Sequence, residues 1–334
     1  MSKVSRRQVV WFGTTAGALT FLQGCDTLVL PVDSANQSEP PEFEPISDNS
    51  QFYVYQYGTI PSDDLFDNWE LVISDQGEEL AVIDRDFLAS LPITEFEHTL
   101  QCIGSGPRNR LIDNAIWGGM HLSDVLDQMG VSWRAANFEM RFETVDGYHT
   151  SIPIADLEIP VWLVWEMNGH PLPVAHGGPV RLIVPTRYGM KNPKWLTRID
   201  FISEEYVGHW EGRGWDAQSY YKTNGFIMWP NEGATLPMAS TLMVGTAYAG
   251  ADPVVRVEIT FDDGQSWDDC TLDYAPGQNR WTLWSYAWEP SDAGQHTARI
   301  RVTTESGDMS SDDPYGTDRL AGYDGGMQIA ITVA

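Results

Sequence analysis

The sequence predicts an α+β domain followed by an all-β sandwich of immunoglobulin-like kind. Up to about residue 211, the spacing of apolar residues changes repeatedly between the periods of a strand and of a helix. After residue 239, strand-like runs follow one another with turn residues between them. A chain of 334 residues with 42% hydrophobic and 20% charged content can bury two cores of ordinary size.

Three segments of the first domain carry the mixed pattern. Residues 69–74 alternate between apolar and polar side chains, which predicts a strand. Residues 84–91 predict a short helix that ends before Pro92, because the residue that precedes a proline is disfavoured in a helix. Residues 121–129 predict a second short helix, which Gly130 ends.

The second domain is predicted to consist of six strands, at residues 242–249, 254–261, 270–274, 280–288, 296–304 and 327–333. The pairs Asp263-Gly264 and Ala293-Gly294 mark hairpins, because both are turn-forming sequences between strand-like runs. Short strands at this spacing are typical of an antiparallel sandwich. We therefore expect the first domain to span residues 51–235 and the second to span residues 236–334.

Residues 1–25 are typical of an export signal. Lys3, Arg6 and Arg7 precede an uncharged, mostly apolar run that is too short for a stable membrane span. The residues around Arg6 and Arg7 match a twin-arginine signal, and the four residues that end at Cys25 resemble a lipoprotein cleavage box. Residues 26–50 are rich in proline, serine and acids, which predicts a flexible linker. We expect an exported protein, lipid-anchored if Cys25 is modified; a signal with an incidental cysteine is the alternative.

The chain is strongly acidic. It has 20 lysines and arginines against 47 acidic residues, a formal charge of −27, which repels the phosphates of nucleic acids. Nucleic acid is therefore excluded as a partner, and membrane contact is expected only through Cys25. Apart from Cys25, the cysteines are Cys102 and Cys270, which fall in different predicted domains, so no structural disulfide is expected.

Residues 167–199 contain no aspartate or glutamate, although the composition of the chain predicts about four or five in a window of this length. The window carries a set of basic residues, namely His170, His176, Arg181, Arg187, Lys191, Lys194 and Arg198. Its glycines would allow backbone amides to approach a ligand closely. This pattern indicates a cradle for an anion such as phosphate; pairing of the cations with acids elsewhere in the chain is the alternative.

Cys102 lies at the end of a predicted strand, before a Gly/Pro loop that carries Arg108 and Arg110. Positive charge beside a cysteine stabilises the thiolate, which is the form needed by a nucleophile or a ligand of a soft metal. A zinc site is disfavoured, because no second cysteine stands at ligand spacing. Hydrolase chemistry stays open, with a base from among His98, His121, His149 and His176.

Two segments resemble the molybdopterin domain of the sulfite oxidase family. One is residues 99–126, with Cys102 and the sequence NAIWGG at 114–119; the other is residues 166–196, with HGGPVR at 176–181 and YGMKNPKWL at 188–196. The order of the motifs also matches the family. The sandwich resembles the immunoglobulin-like dimerisation domain of these proteins, which implies a homodimer.

The resemblance implies a molybdenum–molybdopterin cofactor with Cys102 as the single protein ligand of the metal. It also implies that His176, Arg181 and Lys194 hold the pterin and its phosphate, and that Lys191, Asn192 and Pro193 supply loop and backbone contacts. Gln56, Tyr57 and Asp146 are implied as further contacts of the cofactor. The anion cradle that the acid-free window predicts is consistent with this role.

The chain departs from the sulfite-oxidising members of the family at three positions beside the metal. It carries Tyr55 in place of an arginine, lacks the arginine expected in residues 103–107, and has Trp215 in place of a catalytic tyrosine. Arg108 or Arg213 would restore a cation there, as would Arg110. Cys102, Trp215, Arg108 and Arg213 are therefore the predicted catalytic residues.

These features lead us to expect an oxidoreductase with two-electron oxo-transfer chemistry on a small substrate. The sequence has no CxxCH haem site and no cysteine set for an iron–sulfur cluster, so we expect an external electron carrier such as a c-type cytochrome. Sulfite stays open as the substrate, and tungsten as the metal. The alternatives are a reductase of sulfoxides and a non-catalytic, lipid-anchored binding module.

Overall fold

The first domain contains two five-stranded sheets in the computed structural model, which describes residue 40 and residues 43–274 and 276–334. Its strands are β1 (Leu71–Asp75), β2 (Glu78–Ile83), β3 (Thr94–Gln101), β4 (Ile112–His121), β5 (Glu139–Thr144), β6 (His149–Pro153), β7 (Trp162–Met167), β8 (His170–Pro171), β9 (Arg181–Ile183) and β10 (Leu196–Ile202). Its α-helices are α1 (Arg85–Ser90) and α2 (Leu122–Gln128). The predicted signal at residues 1–25, with Cys25, lies outside the described residues.

One sheet has the order β2-β1-β10-β5-β6, and the other has the order β3-β4-β7-β8 with β9 also paired to β7. In the first sheet, β1 and β10 run parallel, with Ile73 opposite Ile199. Leu71 and Phe142 of this sheet share a buried core with Leu163 of the second sheet. This core fixes the two sheets against each other, so the loops at their ends have defined positions.

Both predicted helices are confirmed. The carboxylate of Asp84 accepts a hydrogen bond from the backbone N–H of Phe87 at 2.8 Å, which caps α1 at its first turn. Helix α2 buries Leu122, Val125 and Leu126, whose spacing places them on one face. Both helices are short: among the described residues, none is long and apolar enough to cross a bilayer.

The second domain is a sandwich of two sheets with the orders β11-β13-β17-β16 and β12-β19-β18-β14-β15. Its strands are β11 (Asn224–Trp229), β12 (Thr235–Leu236), β13 (Thr241–Tyr248), β14 (Val254–Thr260), β15 (Asp268–Asp269), β16 (Thr271–Leu272), β17 (Thr282–Trp288), β18 (Gly294–Thr304) and β19 (Gln328–Val333). Trp284, Ile300 and Ile329 lie in its core. The sandwich starts earlier than the predicted boundary at residue 236, because β11 is paired with β13.

Part of the predicted linker is folded onto the first domain. The hydroxyl of Ser47 donates to Asp113 at 2.7 Å, and the carbonyl oxygen of Asn49 lies 2.7 Å from Nε2 of His176. Phe43 packs against the core of the sandwich. Of the predicted linker at residues 26–50, residues 43–50 are therefore an integral part of the fold rather than a tether.

The two domains meet directly behind the loop that carries Cys102. The hydroxyl of Thr99 on β3 accepts a hydrogen bond from the backbone N–H of Trp281 at 2.8 Å, and its carbonyl oxygen accepts one from Tyr248 at 3.2 Å. The amides of Gln101 and Asn224 hydrogen-bond to each other at 3.1 Å. The strand that ends at Cys102 is therefore fixed from both domains.

Candidate active site

A cavity of about 940 Å³, including its mouth, lies in the first domain at the end of β3. Most of the predicted site residues line it: Gln56, Tyr57, Cys102, Asp146, His176, Arg181, Asn192, Pro193, Lys194 and Trp215. Several aromatic residues also line it that were not predicted as site residues from the sequence, namely Phe52, Tyr53, Tyr148 and Trp210. No sequence motif distinguishes these residues, because aromatic side chains are found in hydrophobic cores as well as in the walls of cavities.

Cys102 follows β3, is half-buried and forms no disulfide bond within the described residues. Its backbone N–H donates to the carbonyl oxygen of Leu111 at 3.0 Å, and its own carbonyl oxygen accepts from the N–H of Ser105 at 2.9 Å. The hydroxyl of Ser105 in turn accepts from Leu111 at 3.0 Å. These bonds close the loop into a tight turn, so the thiol has a fixed position on the cavity wall.

Arg181 is buried, yet it has no carboxylate partner within 4 Å among the described residues. Its guanidinium donates to the carbonyl oxygens of His176 at 2.7 Å and Asn192 at 3.2 Å, and it lies 5.1 Å from the centre of a Trp117 ring. Burial lowers the pKa of Arg181 to about 10. A buried cation without a counter-charge is costly, and an anion in the cavity would remove that cost.

Lys194 has the same character. Its Nζ donates to the carbonyl oxygen of Ala175 at 3.1 Å and lies 4.4 Å from the centre of the Trp195 ring. Burial lowers the pKa of Lys194 to about 7; Arg181 lowers it further, and Asp146 acts in the opposite direction. Gly177 makes room for this side chain, because a Cβ atom there would lie 3.0 Å from Cβ of Lys194, and its φ of +116° favours glycine.

Gln56 is buried, and neither its amide oxygen nor its amide nitrogen has a hydrogen-bond partner in the described residues. A buried amide without partners is destabilising unless a ligand supplies them. Gln56 therefore points to a ligand that both donates and accepts hydrogen bonds, and Arg181 and Lys194 point to negative charge on it. These residues fit a phosphorylated pterin.

His176, Asp146 and Tyr57 complete the wall. The carbonyl oxygen of Asn49 beside Nε2 of His176 requires this nitrogen to carry a hydrogen, and burial lowers the pKa of His176 to about 4, so its ring is neutral near pH 7. The carboxylate of Asp146 accepts from the hydroxyl of Thr144 at 2.5 Å. The ring of Tyr57 packs against His209 with centres 4.1 Å apart.

Three predicted site residues do not line this cavity. The ammonium of Lys191 donates to the carbonyl oxygen of Ser151 at 2.8 Å and is paired with the buried carboxylate of Glu211, so its side chain is structural. Arg213 donates to the carbonyl oxygen of His209 at 2.8 Å. Arg108 lines a neighbouring cavity. Other groups in the fold hold the side chains of Lys191 and Arg213, so neither side chain lines this cavity. The predicted backbone contact of Lys191 with the cofactor stays a prediction.

Arg110, which was a further candidate for a cation near the metal, is held at the domain interface. Its guanidinium donates to the carbonyl oxygen of Ile227 at 2.8 Å and to the side chain of Asn231 at 3.1 Å. Among the described residues, Arg181 and Lys194 are therefore the only lysine or arginine side chains that line the cavity.

Aromatic and apolar residues form the wall beside Cys102. A Cβ atom built on Gly104 would lie 3.9 Å from Sγ of Cys102 and 3.5 Å from Cη2 of Trp215. The Trp215 ring and the thiol therefore both flank Gly104. Trp210 packs edge-on against Trp215 with ring centres 6.4 Å apart. Tyr55 lines the cavity at the position where a cation was expected from the family pattern.

The fold and the cavity define a ligand-binding α+β domain joined to a β-sandwich, and comparisons with known proteins identify the family. Residues 57–210 match the oxidoreductase molybdopterin binding domain, and residues 216–292 match the Mo-co oxidoreductase dimerisation domain. The chain is 31% identical over 314 residues to human mitochondrial sulfite oxidase and 30% identical over 298 residues to the rat protein. It belongs to the sulfite oxidase family of molybdopterin-dependent oxidoreductases.

The matches cover 79% of this chain and 57% of the human protein, and 76% of this chain and 54% of the rat protein. The chain thus spans about half the length of these relatives. In structure, it resembles the sulfane dehydrogenase SoxCD from Paracoccus pantotrophus, with a TM-score of 0.73, 18% identity and coverage of 86% of this chain and 83% of that chain. This likeness and the matched domains confirm the predicted α+β domain followed by a sandwich.

Proposed function

We propose that this protein is an exported molybdenum-cofactor oxidoreductase that performs two-electron oxo-transfer chemistry on a small substrate. The observation that supports it most is the pairing of a fixed thiol, Cys102, with two cations, Arg181 and Lys194, that have no carboxylate partner and line the same cavity. A thiolate suits a soft metal, and buried cations suit the phosphate of a pterin. The molybdopterin cofactor of the family would be a single ligand for Cys102, Arg181 and Lys194.

The bound cofactor would supply the oxo-transfer chemistry, and the chain supplies the positions. Cys102 would bind the metal through its thiolate, while Arg181, Lys194 and Gln56 would hold the pterin and phosphate by hydrogen bonds. Overall, a substrate gains one oxygen atom from water and releases two protons and two electrons. An external one-electron carrier, such as a c-type cytochrome, would take the electrons one at a time.

Trp215 and Tyr55 have positioning roles in this proposal. Both line the cavity with Cys102, and their rings would restrict how a substrate approaches the metal and exclude bulk water. Arg181 and Lys194 are the only lysine or arginine side chains on the described part of the cavity wall. A small inorganic oxyanion is therefore not favoured as the substrate, because no further cation is there to bind it. Sulfite therefore stays one candidate among several.

We also propose that the protein is exported through the twin-arginine route and that a lipid attached to Cys25 anchors it to the membrane. Residues 5–10 support it, since that route carries proteins that fold around a cofactor before they leave the cytoplasm. Replacement of Arg6 and Arg7 by lysine should retain the protein in the cytoplasm, as fractionation would show. Unchanged export of this variant would exclude the twin-arginine route.

The matched dimerisation domain supports a homodimer. Sedimentation equilibrium of the purified protein should give about twice the mass of the chain. A mass of one chain at micromolar concentration would count against the dimer.

The visible spectrum tests the proposed metal ligand. Protein made in a host that synthesises the cofactor should show an absorption band from charge transfer between the Cys102 thiolate and molybdenum, and Cys102→Ser should remove it. Cys270→Ser is the matched control, because Cys270 likewise forms no disulfide bond within the described residues but packs against the core of the sandwich. A colourless wild-type protein from such a host would favour a non-catalytic binding module.

A further inference from the structure

The segment that precedes β1 crosses from the sandwich to the cavity that Cys102 lines. Phe43 packs against the core of the sandwich, and the end of the segment forms one wall of the cavity with Phe52, Tyr53, Tyr55, Gln56 and Tyr57. Residues 43–57, which we call the N-terminal strap, belong to no strand of the four sheets and to no helix. Movement of the strap away from the cavity therefore breaks no pairing between the strands of these sheets.

Side chains of the first domain hold the strap against β4. The buried carboxylate of Asp113 accepts two hydrogen bonds from it, one from the hydroxyl of Ser47 at 2.7 Å and one from the backbone N–H of Tyr53 at 2.8 Å. The side-chain amide of Asn168 donates to the carbonyl oxygen of Ser47 at 3.0 Å and to the side-chain oxygen of Asn49 at 2.7 Å. Asp113 thus holds two separate points of the strap.

The strap also connects the second domain to a predicted cofactor residue. Trp281 of the sandwich donates from its ring N–H to the carbonyl oxygen of Pro45 at 2.9 Å. Further along the strap, the carbonyl oxygen of Asn49 lies 2.7 Å from Nε2 of His176 and fixes the orientation of that ring. The closed strap therefore orients His176 and places Gln56 in the cavity wall at the same time.

The groups that fit a phosphorylated pterin are already covered when the strap is closed. Gln56, His176 and Arg181 each expose 5% or less of their surface. Other wall segments are tightly held: the strand that ends at Cys102 is fixed from both domains, and the side chain of Asn192 ties its loop to the backbone at 2.6–3.0 Å. The strap, which no sheet includes, is therefore the wall segment most able to move.

We propose that the N-terminal strap is the entry gate of the cofactor site and that Asp113 is the latch that holds it closed. The strap opens to admit the phosphorylated pterin and closes over it, which brings Gln56 and His176 to the ligand. This inference rests on the proposed function, since the ligand that enters is the proposed cofactor. Asp113 is then a positioning residue, which does not line the cavity and acts on the ligand through the strap.

Hydrogen–deuterium exchange of the full-length protein tests the gate. Cofactor-free protein is made in a host that cannot synthesise molybdopterin, and loaded protein is made in a host that can. In the cofactor-free protein, we expect the backbone N–H groups of residues 47–57 to exchange together and at least about tenfold faster than those of β4. In the loaded protein, the same groups should exchange about tenfold more slowly than in the cofactor-free protein.

Asp113→Ala removes the latch. It should speed the exchange of residues 47–57 about fivefold or more in either preparation, and it should speed release of the pterin from the loaded protein by a similar factor. Ser47→Ala removes only one of the two hydrogen bonds and leaves the carboxylate in place. This milder variant should shift exchange and release in the same direction by a smaller factor, which keeps the test decisive if Asp113→Ala folds poorly.

Asp200→Ala is the matched control. Asp200 is also buried, and it also accepts one hydrogen bond from a serine hydroxyl, that of Ser74 at 2.7 Å, and one from a backbone N–H, that of Gly77 at 2.9 Å. It belongs to β10 and makes these bonds away from the strap. Its loss should therefore leave the exchange of the strap and the release of the pterin as in the wild type.

Two outcomes would overturn the proposal: a strap that exchanges as slowly as β4 in the cofactor-free protein, and unchanged exchange and pterin release in both Asp113→Ala and Ser47→Ala. Absence of molybdenum and pterin from wild-type protein made in the cofactor-producing host would instead count against the proposed function. Exchange of the cofactor-free protein would still test whether the strap opens and whether Asp113 holds it. Failure of one proposal is thus distinguishable from failure of the other.

Discussion

Lys191 and Lys194 stand in the same loop but end in opposite electrostatic surroundings. The ammonium of Lys191 is paired with the buried carboxylate of Glu211, whereas that of Lys194 is on the cavity wall with the carbonyl oxygen of Ala175 as its hydrogen-bond acceptor. Lys191 neutralises a carboxylate of the protein itself, whereas Lys194 has a positive charge that an anionic ligand would neutralise.

Lys194→Met should leave the metal-free protein at least as stable as the wild type, because it removes a cation that burial makes costly. It should also reduce retention of the cofactor about tenfold or more, since a charge-assisted contact to phosphate is lost. Lys191→Met is the matched control: it leaves Glu211 buried and unpaired, and should cost about 3–5 kcal/mol of stability. Urea unfolding and metal analysis give the two readouts. Equal destabilisation by both variants would show that Lys194 is merely structural.

The pH dependence of the metal-free protein should report Lys194. Its pKa in the folded protein is about 7, below the ordinary 10.5, so between these values the unfolded chain binds more protons. The free energy of unfolding should therefore rise with pH across this window. Urea titrations of Lys194→Met should show a smaller rise from pH 7 to 10, and an identical slope in the two proteins would contradict the assignment.

His98 should contribute to loss of stability in acid. It is fully buried on β3, neither ring nitrogen has a hydrogen-bond partner in the described residues, and burial lowers its pKa to about 3. Because this value lies below the ordinary 6.5, the contribution is present above pH 6.5 and is lost as the pH falls toward 3. His98→Phe should lose less stability than the wild type between pH 6.5 and 4 in urea titrations. If the stability of His98→Phe fell with pH as steeply as that of the wild type, His98 would not contribute to the loss of stability in acid.

Gly178→Ala should damage the loop that carries the cofactor residues. A Cβ atom there would lie 2.1 Å from the carbonyl oxygen of Leu172, so the backbone has to move, at a cost of typically about 1–3 kcal/mol. Gly104→Ala is the comparison, because its Cβ atom would meet Trp215 at an ordinary 3.5 Å. Thermal unfolding should separate the two variants. A melting temperature for Gly178→Ala equal to that of the wild type would mean that the loop is less tightly packed than the distance indicates.

Local patterns predicted much of the fold, because short-range physics determines them. Residues 84–91, followed by Pro92, predicted α1, and the turn residues of the second domain predicted its main strands. Pairings between distant segments carry no such signal. The parallel pairing of β1 with β10 and the membership of β11 in the sandwich depend on tertiary packing, which is why the boundary at residue 236 was placed too late.

The same limit applies to the site. The missing acids of residues 167–199 predicted an anion cradle, and Arg181 and Lys194 do line the cavity together. The sequence did not show that Glu211, beyond this window, is paired with Lys191, or that His209 accepts a hydrogen bond from Arg213. Spacing places a charge in the chain, but only the fold determines its partner.

Analysis of metal and pterin tests the central proposal most directly. Full-length protein made in a host that synthesises the cofactor should contain near one molybdenum and one pterin per chain. Cys102→Ser should lose the metal or hold it without activity, with its fold retained in circular dichroism. Wild-type protein that contains no molybdenum, tungsten or pterin would contradict the proposal and leave a binding module as the better account of the cavity.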